Sequence, residues 1–180
     1  MFYVFLAEGF EETEALATLD VMRRAKLDVL TVGVTGEMVT SSHKVTVKAD
    51  IMPDKINLDN IEGVVLPGGM PGTLNLEASK TVNTFIDYCV QNDKYVCAIC
   101  AAPSILGHKG LLKGRKACCF PGFENELEGA KVSDDFVCTD GKYITAKGMG
   151  AAIEFSREIT RVLLDDFTAD RIKASLQCPF

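Results

Sequence analysis

Short apolar runs alternate along this chain with stretches of helical periodicity, and that alternation constrains the fold more than any other feature. The runs cover residues 2–7, 29–34, 63–66 and 95–99. Continuous apolar runs of this length suit strands buried on both faces, as in a parallel sheet. Between them, Ala15, Leu19 and Met22 recur at four and three residues, and Val82, Phe85, Ile86 and Cys89 recur at i, i+3, i+4 and i+7. Ala152, Phe155, Ile159, Val162 and Leu163 repeat the helical pattern later in the chain. Strand–helix alternation predicts an α/β fold, a mostly parallel sheet with helices on both faces.

Other segments depart from the alternation. Residues 44–48 alternate polar and apolar, with Val45 and Val47 on one side, and read as an edge strand. Residues 137–139 and 142–146 flank Asp140-Gly141 and read as a hairpin with a two-residue turn. Residues 165–176 read as a final helical stretch. No repeat, low-complexity run or Pro/Gly/Ser linker occurs, so one domain over 1–180 is expected.

Charge and cysteine content exclude several classes of function. Lys plus Arg is 19 and Asp plus Glu is 25, a formal charge of −6. That acidity opposes nucleic acid and anionic membrane surfaces as partners. No run approaches the ~20 apolar residues of a spanning helix. The start, Met1-Phe2-Tyr3-Val4-Phe5-Leu6-Ala7-Glu8, lacks the basic region and longer apolar stretch of a secretion signal. Seven cysteines, an odd number, fit reduced thiols in a cytoplasmic protein rather than a disulfide scaffold.

In open α/β sheets ligands bind beyond the carboxyl ends of the strands, so the segments that follow the strands carry the chemistry. After the first run comes Glu8-Gly9-Phe10-Glu11-Glu12-Thr13-Glu14. These carboxylates repel phosphate, and no G-x-G-x-x-G or Walker loop occurs, so no nucleotide or flavin cofactor is expected. Glu8, Glu11 and Glu12 are read as complementing a helix dipole. Glu14 adjoins the apolar stripe of that helix and is placed to point inward. After the third run comes Pro67-Gly68-Gly69-Met70-Pro71-Gly72, whose glycines permit positive φ or close approach of backbone amides to a ligand. A plain tight turn is the alternative reading.

The segment after residues 95–99 is the sharpest signal. Cys100 ends the strand, small residues Ala98, Ala101 and Ala102 surround it, and Pro103 fits the first turn of a helix. This is the layout of a nucleophile elbow. A helix N-terminus there would lower the thiol pKa, whereas a merely buried cysteine would carry no special reactivity. Cys97 does not complete a redox C-x-x-C pair. Three extended residues separate the two Cα atoms by ~10 Å, beyond the ~7 Å reach of a disulfide. Cys97 therefore reads as core. Cys118 and Cys119 are adjacent strand positions that face apart, and Cys178 lies close to the end of the sequence. Two histidines and these spacings give no metal site. His108, near the end of the elbow helix, reads as a surface or capping group, and His43 as a loop residue near the pocket rim.

Four motifs occur in order: residues 7–14 (Ala-Glu-Gly-Phe-Glu-Glu-Thr-Glu), 20–25 (Asp-Val-Met-Arg-Arg-Ala), 65–69 (Val-Leu-Pro-Gly-Gly) and 98–103 (Ala-Ile-Cys-Ala-Ala-Pro). Together they resemble the ThiJ/PfpI superfamily, in the branch of the Parkinson-disease-associated protein deglycase. The resemblance implies a flavodoxin-like sandwich and a homodimer. It implies that Cys100 is the nucleophilic, easily oxidised cysteine and that Glu14 hydrogen-bonds its sulfur and shuttles protons. It implies that Gly69 and Ala101 supply the backbone donors of an oxyanion pocket. The implied function is a cysteine-dependent, cofactor-free glyoxalase or deglycase acting on methylglyoxal-like α-oxoaldehydes or early glycation adducts. The alternative is a non-enzymatic oxidative-stress sensor or redox-regulated chaperone in which Cys100 becomes the sulfinate. Three departures matter. Ala101 stands where PfpI-type proteases have a histidine, which argues against protease activity. Phe120, in Cys119-Phe120-Pro121, stands where several deglycase relatives have a histidine facing the cysteine. His43 is the nearest match to an arginine of some relatives.

Overall fold

A computed structural model describes residues 1–178. Its central sheet has six strands: β1 (Phe2–Leu6), β2 (Val29–Gly33), β5 (Gly63–Leu66), β6 (Tyr95–Ile99), β9 (Val137–Asp140) and β10 (Tyr143–Ala146). Their spatial order is β2-β1-β5-β6-β10-β9. The first five in that order run parallel, and β9 closes the edge antiparallel to β10. Every residue of β1, β5 and β10 is buried, as the unbroken apolar runs require.

Alternation along the strands divides the core into two layers. Phe5, Val64, Leu66 and Val96 face one side. There they meet the helices α2 (Gly72–Ala78), α3 (Lys80–Gln91) and α4 (Pro103–His108) through Leu76, Ile86 and Ile105. Val4, Val65, Cys97 and Ile144 face the other side, against Ala15, Met22 and Phe155 of α1 (Glu12–Arg24) and α5 (Ala152–Leu163). A last helix, α6 (Asp166–Ser175), packs on this layer through Ile172, and Asp165 caps it by accepting the Thr168 N–H at 2.6 Å.

Two expectations need correction. Residues 44–48 do not edge the main sheet. β4 (Thr46–Lys48) pairs antiparallel with β3 (Met38–Thr40) in a separate two-stranded sheet, and Val45 is exposed. The hairpin is real, but its turn is Gly141-Lys142, because Asp140 pairs with Tyr143. Gly141 takes φ 62°, which places the glycine first in the turn. A further two-residue ladder joins β7 (Lys116–Ala117) and β8 (Lys131–Val132). Among the described residues no helix is long and apolar enough to cross a membrane.

Candidate functional site

The carboxyl ends of β1, β5 and β6 converge on Cys100. This residue follows β6 directly and adopts φ 65°, a left-handed conformation that is strained for any side chain with a Cβ. The turn is held from both sides. The Cys100 N–H donates to Ala146 O at 2.9 Å, and its carbonyl accepts the Phe120 N–H at 2.8 Å. α4 then begins at Pro103, whose fixed φ suits a first helical turn. The thiol is thereby turned out of the strand plane, half-buried, at the mouth of the site.

Glu14 approaches from α1. Glu11 caps this helix, its Oε2 accepting the Glu14 N–H at 2.6 Å, and Glu14 itself is 1% exposed. A carboxyl this deep needs donors. Its Oε2 accepts the Gly68 N–H at 2.8 Å, and it also bonds the Met149 N–H and the Cys100 sulfur. Burial pushes the carboxyl up to about 7, against the lowering effect of those hydrogen bonds, and the charge of Glu11 adds to the rise.

The Pro-Gly-Gly loop after β5 brings the third component. The Glu11 N–H donates to Gly68 O at 2.9 Å and the Gly72 N–H to Gly9 O at 3.1 Å, which fastens this loop to the β1–α1 loop. Gly69 adopts φ 90°, and a Cβ there would lie 2.5 Å from the Glu11 nitrogen. Only glycine satisfies both constraints. The result is that the N–H groups of Gly69 and Ala101 both point at the Cys100 sulfur.

The thiol does not titrate as a cysteine at a helix start was expected to. Burial and the adjacent Glu14 charge push it up to about 12, while the Ala101 and Gly69 amides pull the other way. The six residues of α4 supply little dipole, and the carboxylate in contact outweighs it.

The structure thus brings Cys100, Glu14, Gly69 and Ala101 together. Two contributors were not read from the sequence: Gly68, which donates to Glu14, and the Gly148-Met149 corner after β10. The latter was overlooked because β10 was read as half of a hairpin rather than as a parallel strand whose carboxyl end faces the site. Phe120 borders the same corner, where a Cβ on Gly148 would lie 3.1 Å from its ring. Phe120, Phe136 and Met149 are exposed and line a groove of about 310 Å³ beside the site.

The remaining candidates lie elsewhere. His43 is exposed on the β3–β4 connection, with Nδ1 3.2 Å from a Glu12 carboxylate oxygen. His108 ends α4 between Glu77 and Glu126, at 2.5 and 2.8 Å. Glu8 does not serve the helix dipole; it accepts the Thr40 N–H at 3.0 Å. Among the described residues, Glu11, Glu12 and His43 have ligand atoms within 4.8 Å of one another. Glu11 is already committed to the helix cap there.

A DJ-1/PfpI family model matches residues 2–162. The Parkinson disease protein 7 homolog of Danio rerio is 33% identical over 178 residues, 96% of this chain and 94% of its own. A Caenorhabditis elegans protein named glutathione-independent glyoxalase DJR-1.2 is 30% identical, with coverage of 87% and 84%. A protein of Pyrococcus abyssi named a deglycase is 27% identical, with coverage of 89% and 97%. Against two longer Arabidopsis thaliana relatives, DJ-1 homologs B and A, the chain spans 36% and 45% of their length. The crystal structure of Drosophila melanogaster DJ-1beta superposes with a TM-score of 0.94 at 31% identity, covering 99% of this chain and 98% of that one. With 161 of its 180 residues inside the family match and that fold around Cys100, the chain belongs to the DJ-1/PfpI family.

Proposed function

We propose that this protein is a cysteine-dependent, cofactor-free glyoxalase or deglycase that acts on small α-oxoaldehydes or their early adducts. The observation that carries the reading is the contact of one sulfur with a buried carboxyl of raised pKa and with two backbone amides. The names of the worm and archaeal relatives support the reaction class.

In this mechanism Glu14 is the general base that makes the attack possible. Its pKa of about 7 leaves a fraction ionised at neutral pH, hydrogen-bonded to the thiol. As the sulfur attacks the aldehyde carbon of methylglyoxal, the thiol proton passes to Glu14 and a hemithioacetal forms. The Gly69 and Ala101 amides steady the developing oxyanion. Glu14 then moves a proton from the former aldehyde carbon to the neighbouring carbon through an enediol. That step oxidises the first carbon and reduces the second, giving a lactoyl thioester. Water cleaves the thioester to lactate and restores the thiol. Electrons balance within the substrate, so no cofactor takes part. Phe120 leaves Glu14 as the acid–base group at the sulfur. The test is methylglyoxal turnover, followed as lactate, for wild type and a folded Cys100→Ser variant. Cysteine-dependent lactate supports the reading, and equal turnover in the variant sinks it.

The second reading is a redox-responsive stress protein or chaperone. The same two amides would receive sulfinate oxygens, and a protonated Glu14 would donate to one of them. Selective gain of two oxygens at Cys100 under mild peroxide supports it. Uniform oxidation of the seven cysteines counts against it. In either reading the protein is a cytoplasmic homodimer, with the exposed Phe120, Phe136 and Met149 as candidates for the buried face; light scattering at several concentrations tests this.

A further inference from the structure

Two thiols outside the Cys100 site lie against each other. Cys138 on β9 pairs directly with Thr145 on β10, so both side chains rise from one face of the sheet. Cys118, immediately after β7, lies over that spot. Its N–H donates to Thr145 Oγ1 at 3.0 Å and its thiol donates to Thr145 O at 3.3 Å. The two thiols thus face the same Thr145 and are close enough to shift each other's proton affinity. Both are buried, but between polar groups, whereas Cys89, Cys97 and Cys119 are packed inside the apolar layers.

We infer that Cys118 and Cys138 form a reversible dithiol–disulfide couple, oxidised by hydroperoxides independently of Cys100. The surroundings divide the roles. Cys118 sits against the carbonyls of Thr145 and Phe136, which favour a protonated thiol. The neighbouring Cys118 thiol, the Ser133 hydroxyl and the Lys116 ammonium lower the proton affinity of Cys138, against burial and the Asp135 charge. Cys138 is therefore the attacking sulfur and Cys118 the resolving one.

The chemistry balances. The Cys138 thiolate attacks one peroxide oxygen, the O–O bond breaks, and an alcohol or water leaves after taking a proton. Cys138 is then the sulfenic acid. The Cys118 sulfur attacks it, the S–O bond breaks, water leaves with the Cys118 proton, and the S–S bond forms. Two thiols lose two electrons to one hydroperoxide. Access runs through the cover above the pair. β9 is the sheet edge, and the segment over the pair, tied to β8 by a two-residue ladder and to Asp140 by the Lys116 N–H, borders the exposed Val132. Local opening at this sheet edge admits the peroxide.

The test uses full-length Cys100→Ser, which separates this couple from the proposed reaction at Cys100. The protein is exposed to stoichiometric hydrogen peroxide, alkylated and digested with trypsin without reduction. Peptides 117–131 and 132–142 should appear linked, about 2 Da below the sum of their masses with Cys119 alkylated and Cys118 and Cys138 as free thiols. The link should vanish with dithiothreitol, vanish in Cys138→Ser and persist in Cys119→Ala. Cys138 reaching the sulfinic acid without the link overturns the inference. A link through Cys119, or both thiols remaining alkylatable in the unfolded protein, overturns it as well. If Cys138→Ser does not fold, the Cys100→Ser peptide map decides alone.

Discussion

The Glu14 carboxyl is hydrogen-bonded to the Cys100 sulfur while its Oε2 accepts the Gly68 N–H at 2.8 Å. The carboxyl comes from a helix, the sulfur from a strained turn, and the amide from a glycine loop. Each group changes the proton affinity of its neighbour, and most of the expected behaviour of the site follows from that coupling.

Replacing the carboxyl by an amide isolates the charge. Glu14→Gln keeps an oxygen for Gly68 but removes the negative charge that raises the thiol. The midpoint of Cys100 alkylation against pH should fall below about 12. Lactate formation should drop by about 100-fold, the loss of a general base. Iodoacetamide kinetics over pH and steady-state turnover measure the two effects separately.

The same group makes folding stability depend on pH. The folded-state pKa of Glu14 is about 7, above its ordinary 4.5, so the folded chain holds this proton more tightly than the unfolded one. The contribution is fully present below about 4.5 and is lost as pH rises through about 7, up to about 3 kcal/mol. Urea midpoints for wild type and Glu14→Gln at the two ends of this window should diverge, with wild type losing more stability toward the higher pH.

Gly68 tests how tightly the site is packed. A Cβ there would lie 2.6 Å from Cys100 Cβ and 2.8 Å from Glu14 Oε2. Neither neighbour is a free side-chain end, so one of them must move. Gly68→Ala should retain its far-ultraviolet circular dichroism, lose about 1–3 kcal/mol of stability and lose at least about tenfold in turnover through misplacement.

His108 offers a control remote from the sulfur. Its bonds to Glu77 and Glu126 raise its pKa. The stabilisation is fully present below the ordinary histidine value and is lost as pH rises through the raised one. The side chain is about one-third exposed, so screening limits the effect to about 0.5 kcal/mol. His108→Gln should remove that increment in thermal melts at pH 6 and leave lactate formation unchanged.

The amino-acid order by itself determined the α/β architecture, because strand runs buried on both faces and helical stripes impose periods that no other fold accommodates. It also determined where chemistry would gather, since Cys100 ends an apolar run and Pro103 opens a helix. Tertiary structure alone decided the direction of the Cys100 pKa, for that depends on desolvation and on a carboxylate distant in sequence. It also decided the roles of Gly68 and the Gly148-Met149 corner, which require the loops to be seen in space. The opposition of Cys118 and Cys138 arose in the same way. Their meeting at Thr145 depends on strand pairing and on a crossing segment, and neither leaves a local pattern in the sequence.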